Sequence, residues 1–336
     1  MVTFAYVSEP LEVTCDESGA EGEKLVGGNT DIFTHAAILM SRRAAEECIG
    51  ELRERAPTPA SQYAACHVLR DKHRGTLRWL LGPSGPLLGR AHVFLTEKPF
   101  LAVRKIVALL DAGHSPGVGL ALDPRSSARA VTLYREGPRA FGPARWTAFL
   151  DSFNYLLRAK NGQGVTMSVD DAFLLVDELR GPGPAGEIVE LLWQARPRVA
   201  AFRERLLEAP HVFPTLDPLI PAIVRAVEFW GRGGEPVSIV HDRQTTLTDE
   251  RIARLRALLD GRLAGLRLAE SFLDARIQVA DVIAGVARRI AVDELAGRGD
   301  PGFIALLRPY VDERSVWGDA RTGALLGQHP DAVMSG

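Results

Sequence analysis

The run from Ala275 to Leu295, Ala-Arg-Ile-Gln-Val-Ala-Asp-Val-Ile-Ala-Gly-Val-Ala-Arg-Arg-Ile-Ala-Val-Asp-Glu-Leu, sets the tightest limit on what this chain can fold into. Its spacing predicts a helix, and in its first half almost every side chain is apolar. A helix that is apolar most of the way round has to be covered, so the rest of the chain must supply the layers that bury it. Within it Gln278 and Asp281 share a face, and Gly285 and Arg288 continue that stripe at helical spacing. A carboxylate on a buried helix is costly unless a charge or a metal pairs with it. Arg288 is the ordinary partner; a cation is the chemical one. Gly285 would let another backbone or a ligand approach closely.

Short strands near both ends of the chain provide the first of those layers. Leu11 to Gly19, Leu-Glu-Val-Thr-Cys-Asp-Glu-Ser-Gly, reads as a strand that ends on two carboxylates, Asp16 and Glu17. Asp31 to Met40 reads as a second strand joined to it as a hairpin, and Ser41 caps a helix that runs to Arg55 and stops before Pro57 and Pro59. Tyr63 to Leu69 is expected as a strand leading into a helix over 72–81. Ala91 to Leu95 is a further strand, followed by a helix from Pro99 to Leu110. Pro236 to Val240 returns to strand character and runs into His241-Asp242-Arg243-Gln244, after which Thr248 caps a helix carrying Ile252, Leu255, Leu258 and Leu259.

The middle of the chain has another character. Between about 126 and 230 the periodicity is helical, as in Trp146 to Leu157, Val169 to Leu179 and Ile188 to Leu207. Glycine-rich stretches at 181–186 and 231–234 punctuate it. The expectation is an α/β protein whose sheet domain comprises residues 1–125 and 231–336, interrupted by a helical insertion subdomain over 126–230. A chain of 336 residues, 46% of them hydrophobic, can bury cores of that size. A formal charge of -2 offers no global basic field, so any nucleic-acid contact must come from a local patch. Three cysteines without Cys-x-x-Cys spacing argue against a disulfide framework or a structural zinc. The start lacks a basic region followed by an apolar one, and no stretch approaches about 18 uninterrupted apolar residues, so a reduced, cytoplasmic chain with no membrane partner is expected.

Several residue groups compete for a chemical role. Asp16 and Glu17, side by side at a strand tip, repel one another and are best tolerated beside a cation; the ordinary reading is a solvated turn. His241, next to Asp242, is a proton shuttle or a turn residue. His35, His67, His73, His92 and His114 show no metal-ligand spacing. The glycine pairs lack phosphate-loop register. The basic stretches at 70–78 and 251–262 could track a phosphate backbone but also fit solvated helix faces.

Asp16-Glu17-Ser18-Gly19 after a first strand, His241-Asp242-Arg243-Gln244 after a late strand and Ile277-Gln278-Val279-Ala280-Asp281 on a late helix together resemble the bacterial domain-of-unknown-function family 3800, whose members are similar to ribonuclease H-like nucleases. The resemblance spans about residues 11–291. It implies a ribonuclease H-like mixed sheet flanked by helices and a metal-dependent nuclease acting on nucleic acid. One or two Mg²⁺ or Mn²⁺ ions would be held by Asp16, Asp242 and Asp281, with Glu17 auxiliary or turned off the site. Gln278, His241 and Gln244 would stand behind the ligands, and Arg243 and Arg288 would contact the nucleic acid. In relatives a Glu, with Lys two residues on, occurs where Gln62-Tyr63-Ala64 aligns. A neutral Gln62 weakens a second metal, unless Glu51 or Glu54 fills the role. The alternative is a catalytically weakened relative that binds nucleic acid or a protein partner. A homo-oligomer stays open.

Overall fold

Five strands form one mixed sheet, in the order β3-β2-β1-β4-β5, with helices on both faces. The computed structural model describes residues 9–60, 62–110, 122–158, 167–208 and 215–327. Along the chain the elements are β1 (Leu11–Ser18), β2 (Ile32–Ile38), α1 (Arg42–Arg55), α2 (Ala65–Val68), α3 (Arg74–Leu81), β3 (Ala91–Glu97), α4 (Lys98–Ala108), α5 (Pro124–Phe141), α6 (Pro143–Leu156), α7 (Val169–Leu179), α8 (Pro184–Gln194), α9 (Arg196–Glu208), α10 (Leu219–Trp230), β4 (Val237–Asp242), α11 (Asp249–Leu258), β5 (Leu263–Ala269), α12 (Ala275–Leu295), α13 (Pro301–Leu307) and α14 (Ala320–Leu325).

Strand β2 runs antiparallel to both of its neighbours, β1 and β3, whereas β4 lies parallel to β1 and β5 parallel to β4. The chain therefore builds outward from β1 on one side and then crosses over to build outward on the other, so a topological switch falls between β1 and β4. Open α/β sheets bind their ligands at the carboxyl ends of strands beside such a switch.

Alternation along the strands sorts side chains onto two covers. Val13, Cys15, Phe33, Ala37 and Ile239 face one apolar cluster, which is completed by α4 and by residues of α5 to α10 such as Phe149, Phe153, Phe173 and Ile223. Ile32, Ala36, Ile38, Val93 and Leu95 face the other, with Leu52 of α1, Leu80 of α3, Leu307 of α13 and the length of α12. Helix α12 is buried as its composition demands: thirteen of its residues, Ile277, Val279, Ala280 and Ile283 among them, are nearly inaccessible. Its start is pinned by Asp274, which accepts from the Arg276 backbone N–H, while the Arg276 guanidinium bridges Asp274 and Glu12 of β1.

The structure departs from sequence expectation at several places. Tyr63 to Leu69 is not a strand; it holds the single helical turn α2, because the Tyr63 hydroxyl donates to the Leu52 and Ala56 carbonyls at the end of α1 and fixes the chain's entry there. The expected helix over Ile188 to Leu207 is two helices, with Ala195 closing α8 and Pro197 in the first turn of α9, where its missing N–H is harmless. Strand β5 was not expected. Leu258, counted among the apolar positions of α11, is exposed. His114 and the first eight residues lie outside the described residues.

Candidate metal centre

Strands β1 and β4 run side by side, and β4 ends at Asp242 level with Asp16, two residues before β1 ends at Ser18. Cys15 pairs with His241 across the parallel ladder, so the next residues, Asp16 and Asp242, are neighbours on the α12 side of the sheet. Helix α12 packs on β1 and β2 and brings Asp281 to the same place. The three aspartates come from opposite ends of the chain. Asp16 is only 6% exposed, and among the described residues its carboxylate is hydrogen-bonded only to the Glu17 backbone N–H, at 2.7 Å.

Like charges without a counterion leave an electrostatic mark. Burial, and after it the charges of Glu17, Asp281 and Asp242, push the Asp16 carboxyl up to about 9. Burial and the charges of Asp242 and Glu17 push Asp281 up to about 6. Among the described residues Asp281 has no hydrogen-bond or ion-pair partner. The Arg288 partner that the sequence allowed instead donates its Nε to Ser18 Oγ at 2.9 Å. Gly285 on the same stripe serves packing, since a Cβ there would come within 2.4 Å of the Ala65 Cβ; its absence lets α2 press against α12.

Glu17 points the other way, as strand alternation requires. It pairs in register with His35 and lies beneath the helices of the opposite cover. Gln244 donates its side-chain amide to Glu17 Oε1, and His241 Nε2 stands 3.7 Å from Glu17 Oε2. Burial, and to a lesser degree the charges of Asp242 and Asp217, raise the Glu17 carboxyl to about 7 against the Gln244 hydrogen bond, which lowers it. His241 is fully buried, donates from Nδ1 to the Asp242 carbonyl at 2.9 Å and stacks on His35 with ring centroids 5.4 Å apart. Burial holds both imidazoles below their ordinary value, so they sit neutral. The link between His35 and this cluster is not legible in the sequence, because the long connection between β1 and β2 leaves open the register that sets His35 opposite Glu17.

The remaining candidates sit at the margin. Gln278 accepts from the Tyr63 N–H at 3.5 Å and donates to the Ser271 carbonyl at 3.1 Å, tying α12 to the chain on either side of it. Gln62 is exposed and donates to Ser271 Oγ at 2.7 Å. Glu51 is held by Arg55 at 2.6 Å, and Glu54 is exposed. Arg243 pairs with Glu270 at 2.5 Å.

Oxygen donors alone, buried and short of positive charge, suit a hard divalent cation such as Mg²⁺ or Mn²⁺. Among the described residues no three His, Cys, Asp or Glu side chains already form a ready-made cage, so a cation would have to draw the carboxylates together. The donor set and the unbalanced charge fit such an ion. Comparison of the chain with protein-family models, with curated proteins and with solved structures finds no match.

Proposed function

We propose that this protein is a metal-dependent phosphodiester hydrolase, a nuclease of the ribonuclease H-like type, with Asp16, Asp242 and Asp281 as the metal ligands. The observation that carries the reading is the meeting of these three carboxylates, from β1, β4 and α12, on one side of the sheet at its topological switch, with no cationic side chain among the described residues to neutralise them. A bound divalent cation would supply Lewis-acid stabilisation of charge on phosphoryl oxygens and a nucleophilic water at neutral pH. The chain's own residues do the rest. Asp16 and Asp242 offer oxygens from rigid strand ends, and His241 holds the Asp242 carbonyl in place. Gln244 keeps Glu17 turned away on the opposite face.

Mn²⁺ titration by calorimetry, with cleavage of labelled DNA and RNA strands, tests this. Wild type should bind Mn²⁺ and cut. Asp281→Asn should weaken Mn²⁺ binding by about tenfold or more and cleavage by about a hundredfold or more, equivalent to roughly 3 kcal/mol. Its metal-free melting temperature should hold or rise, because a like charge has gone. Lost apo stability with cleavage intact would reject the assignment. A second reading, a catalytically weakened binding module, is favoured by the want, among the described residues, of a ready-made cage of three metal-ligating side chains. It predicts nucleic-acid binding without cleavage at any Mn²⁺ concentration.

A further inference from the structure

A cleft of about 700 Å³ opens between the β1–β2 connection, the end of α2 and the second half of α12, the helix that carries Asp281. Its charged lining is three guanidiniums, Arg70, Arg288 and Arg289, against one carboxylate, Asp31; Asn29 and Thr30 add polar groups. Arg289 is engaged by Asp293 at 2.6 Å. Arg70, just past α2, and Arg288, on α12, both line the cleft and have no carboxylate partner among the described residues. Arg288 is fixed through its Nε by Ser18 Oγ, two residues beyond Asp16, which leaves its two terminal nitrogens for a ligand. Gly19 makes room for this arm, since a Cβ there would fall 2.8 Å from Arg288 Cδ.

Seven residues separate Asp281 from Arg288, two helical turns, so both lie on nearly the same face about 10 Å apart along the axis. Arg288 of the cleft is thus tied to the aspartates twice, along α12 to Asp281 and through Ser18 to the strand that carries Asp16. Two guanidiniums lining one cleft, without a carboxylate partner among the described residues, match the oxygens of phosphodiesters, which arginine grips with paired N–H donors.

We propose that this cleft binds the phosphodiester backbone of a nucleic-acid strand flanking the bond held at Asp16, Asp242 and Asp281, with Arg70 and Arg288 each on a phosphate. The proposal rests on the nuclease reading for its ligand and deepens it by assigning the strand's path.

The test is binding in EDTA, where no cleavage occurs, followed by fluorescence anisotropy of one labelled mixed-sequence single strand prepared as DNA and as RNA, over a range of salt. Arg70→Gln and Arg288→Gln should each weaken binding about three- to tenfold near 0.1 M salt, equally for different sequences. Each should lower the slope of log K against log salt by about 0.7, the increment for one single-strand phosphate contact. Arg205→Gln, on α9 over the opposite face, should match wild type. Arg70 is exposed and Arg70→Gln should fold, so the cleft remains testable should Arg288→Gln lose its Ser18 anchor and unfold. Wild-type affinity and slope in Arg70→Gln would overturn the cleft, even in a protein that cleaves. Binding that depends on Arg70 in a protein that never cleaves with Mn²⁺ would sink the nuclease reading and leave the cleft standing. Failure of wild type to bind either strand would overturn the cleft outright.

Discussion

Asp16 and Glu17 are adjacent in sequence and opposite in role because a strand alternates its faces. Asp16 joins Asp242 and Asp281 under α12, while Glu17 joins His35, His241 and Gln244 under the other cover. Gln62 belongs to neither group. Its amide is spent on Ser271, at the connection from β5 to α12. Adding a negative oxygen there should therefore leave the metal site nearly untouched: Gln62→Glu is expected to keep Mn²⁺ affinity within about twofold of wild type and to leave single-turnover cleavage unchanged. Calorimetry decides it, and a tenfold tightening, about 1.4 kcal/mol, would put residue 62 among the ligands after all.

Helix α12 is the element on which fold and site depend together, for it fills one cover, carries Asp281 and walls the cleft. Its contact with α2 requires Gly285, since the missing Cβ would sit 2.4 Å from Ala65 Cβ. Gly285→Ala gains about 1 kcal/mol of helix propensity, but overpacking a tight contact costs about 1–3 kcal/mol. Net destabilisation of up to about 2 kcal/mol is expected in urea unfolding, and Ala65→Gly in the same chain should recover part of it. Additive losses in the double variant would show that the two positions do not meet. Much at this scale was legible in the sequence. The apolarity of the first half of 275–295 announced a covered helix and marked Asp281 as a carboxylate on it, whereas Glu17 stayed open between an auxiliary ligand and a residue turned off the site, and Asp242 was named only through the family resemblance. What escaped was non-local. Leu-Ala-Gly-Leu-Arg-Leu-Ala has no β-branched residue and becomes β5 only by pairing with β4. The stretch from Tyr63 to Leu69 has strand-like composition, but the Tyr63 hydroxyl and the Gly285 gap make it a helical turn. His35 could not be matched to Glu17, because the long connection between β1 and β2 hides their register.

The whole molecule carries a pH signature that a cation should invert. A carboxyl whose folded value lies above its unfolded one holds its proton longer in the folded state, so it contributes no penalty at low pH, and stability falls as pH rises from the ordinary carboxylate range to the folded value. Asp281, to about 6, Glu17, to about 7, and Asp16, to about 9, all act in this sense. Below about pH 6.5 the buried neutral imidazoles of His35, His92 and His241 oppose them, because folding there excludes protons. Above about pH 8 the buried Lys105, lowered to about 8 by its burial, opposes Asp16 in the same way. Between pH 7 and 8 each extra proton bound by the folded state lowers stability by about 1.4 kcal/mol per pH unit, and the carboxyls of Glu97 and Asp217, also raised by burial, act in the same sense as Asp16. Metal-free protein should lose about that much between pH 7 and 8 in urea unfolding, and Asp16→Asn should flatten the trend. A divalent cation binds the deprotonated carboxylates, so its stabilising effect should grow over the same interval. With saturating Mn²⁺ the wild-type slope should vanish or reverse. A slope unchanged by both Mn²⁺ and Asp16→Asn would mean that the aspartates neither hold the proton nor receive the ion.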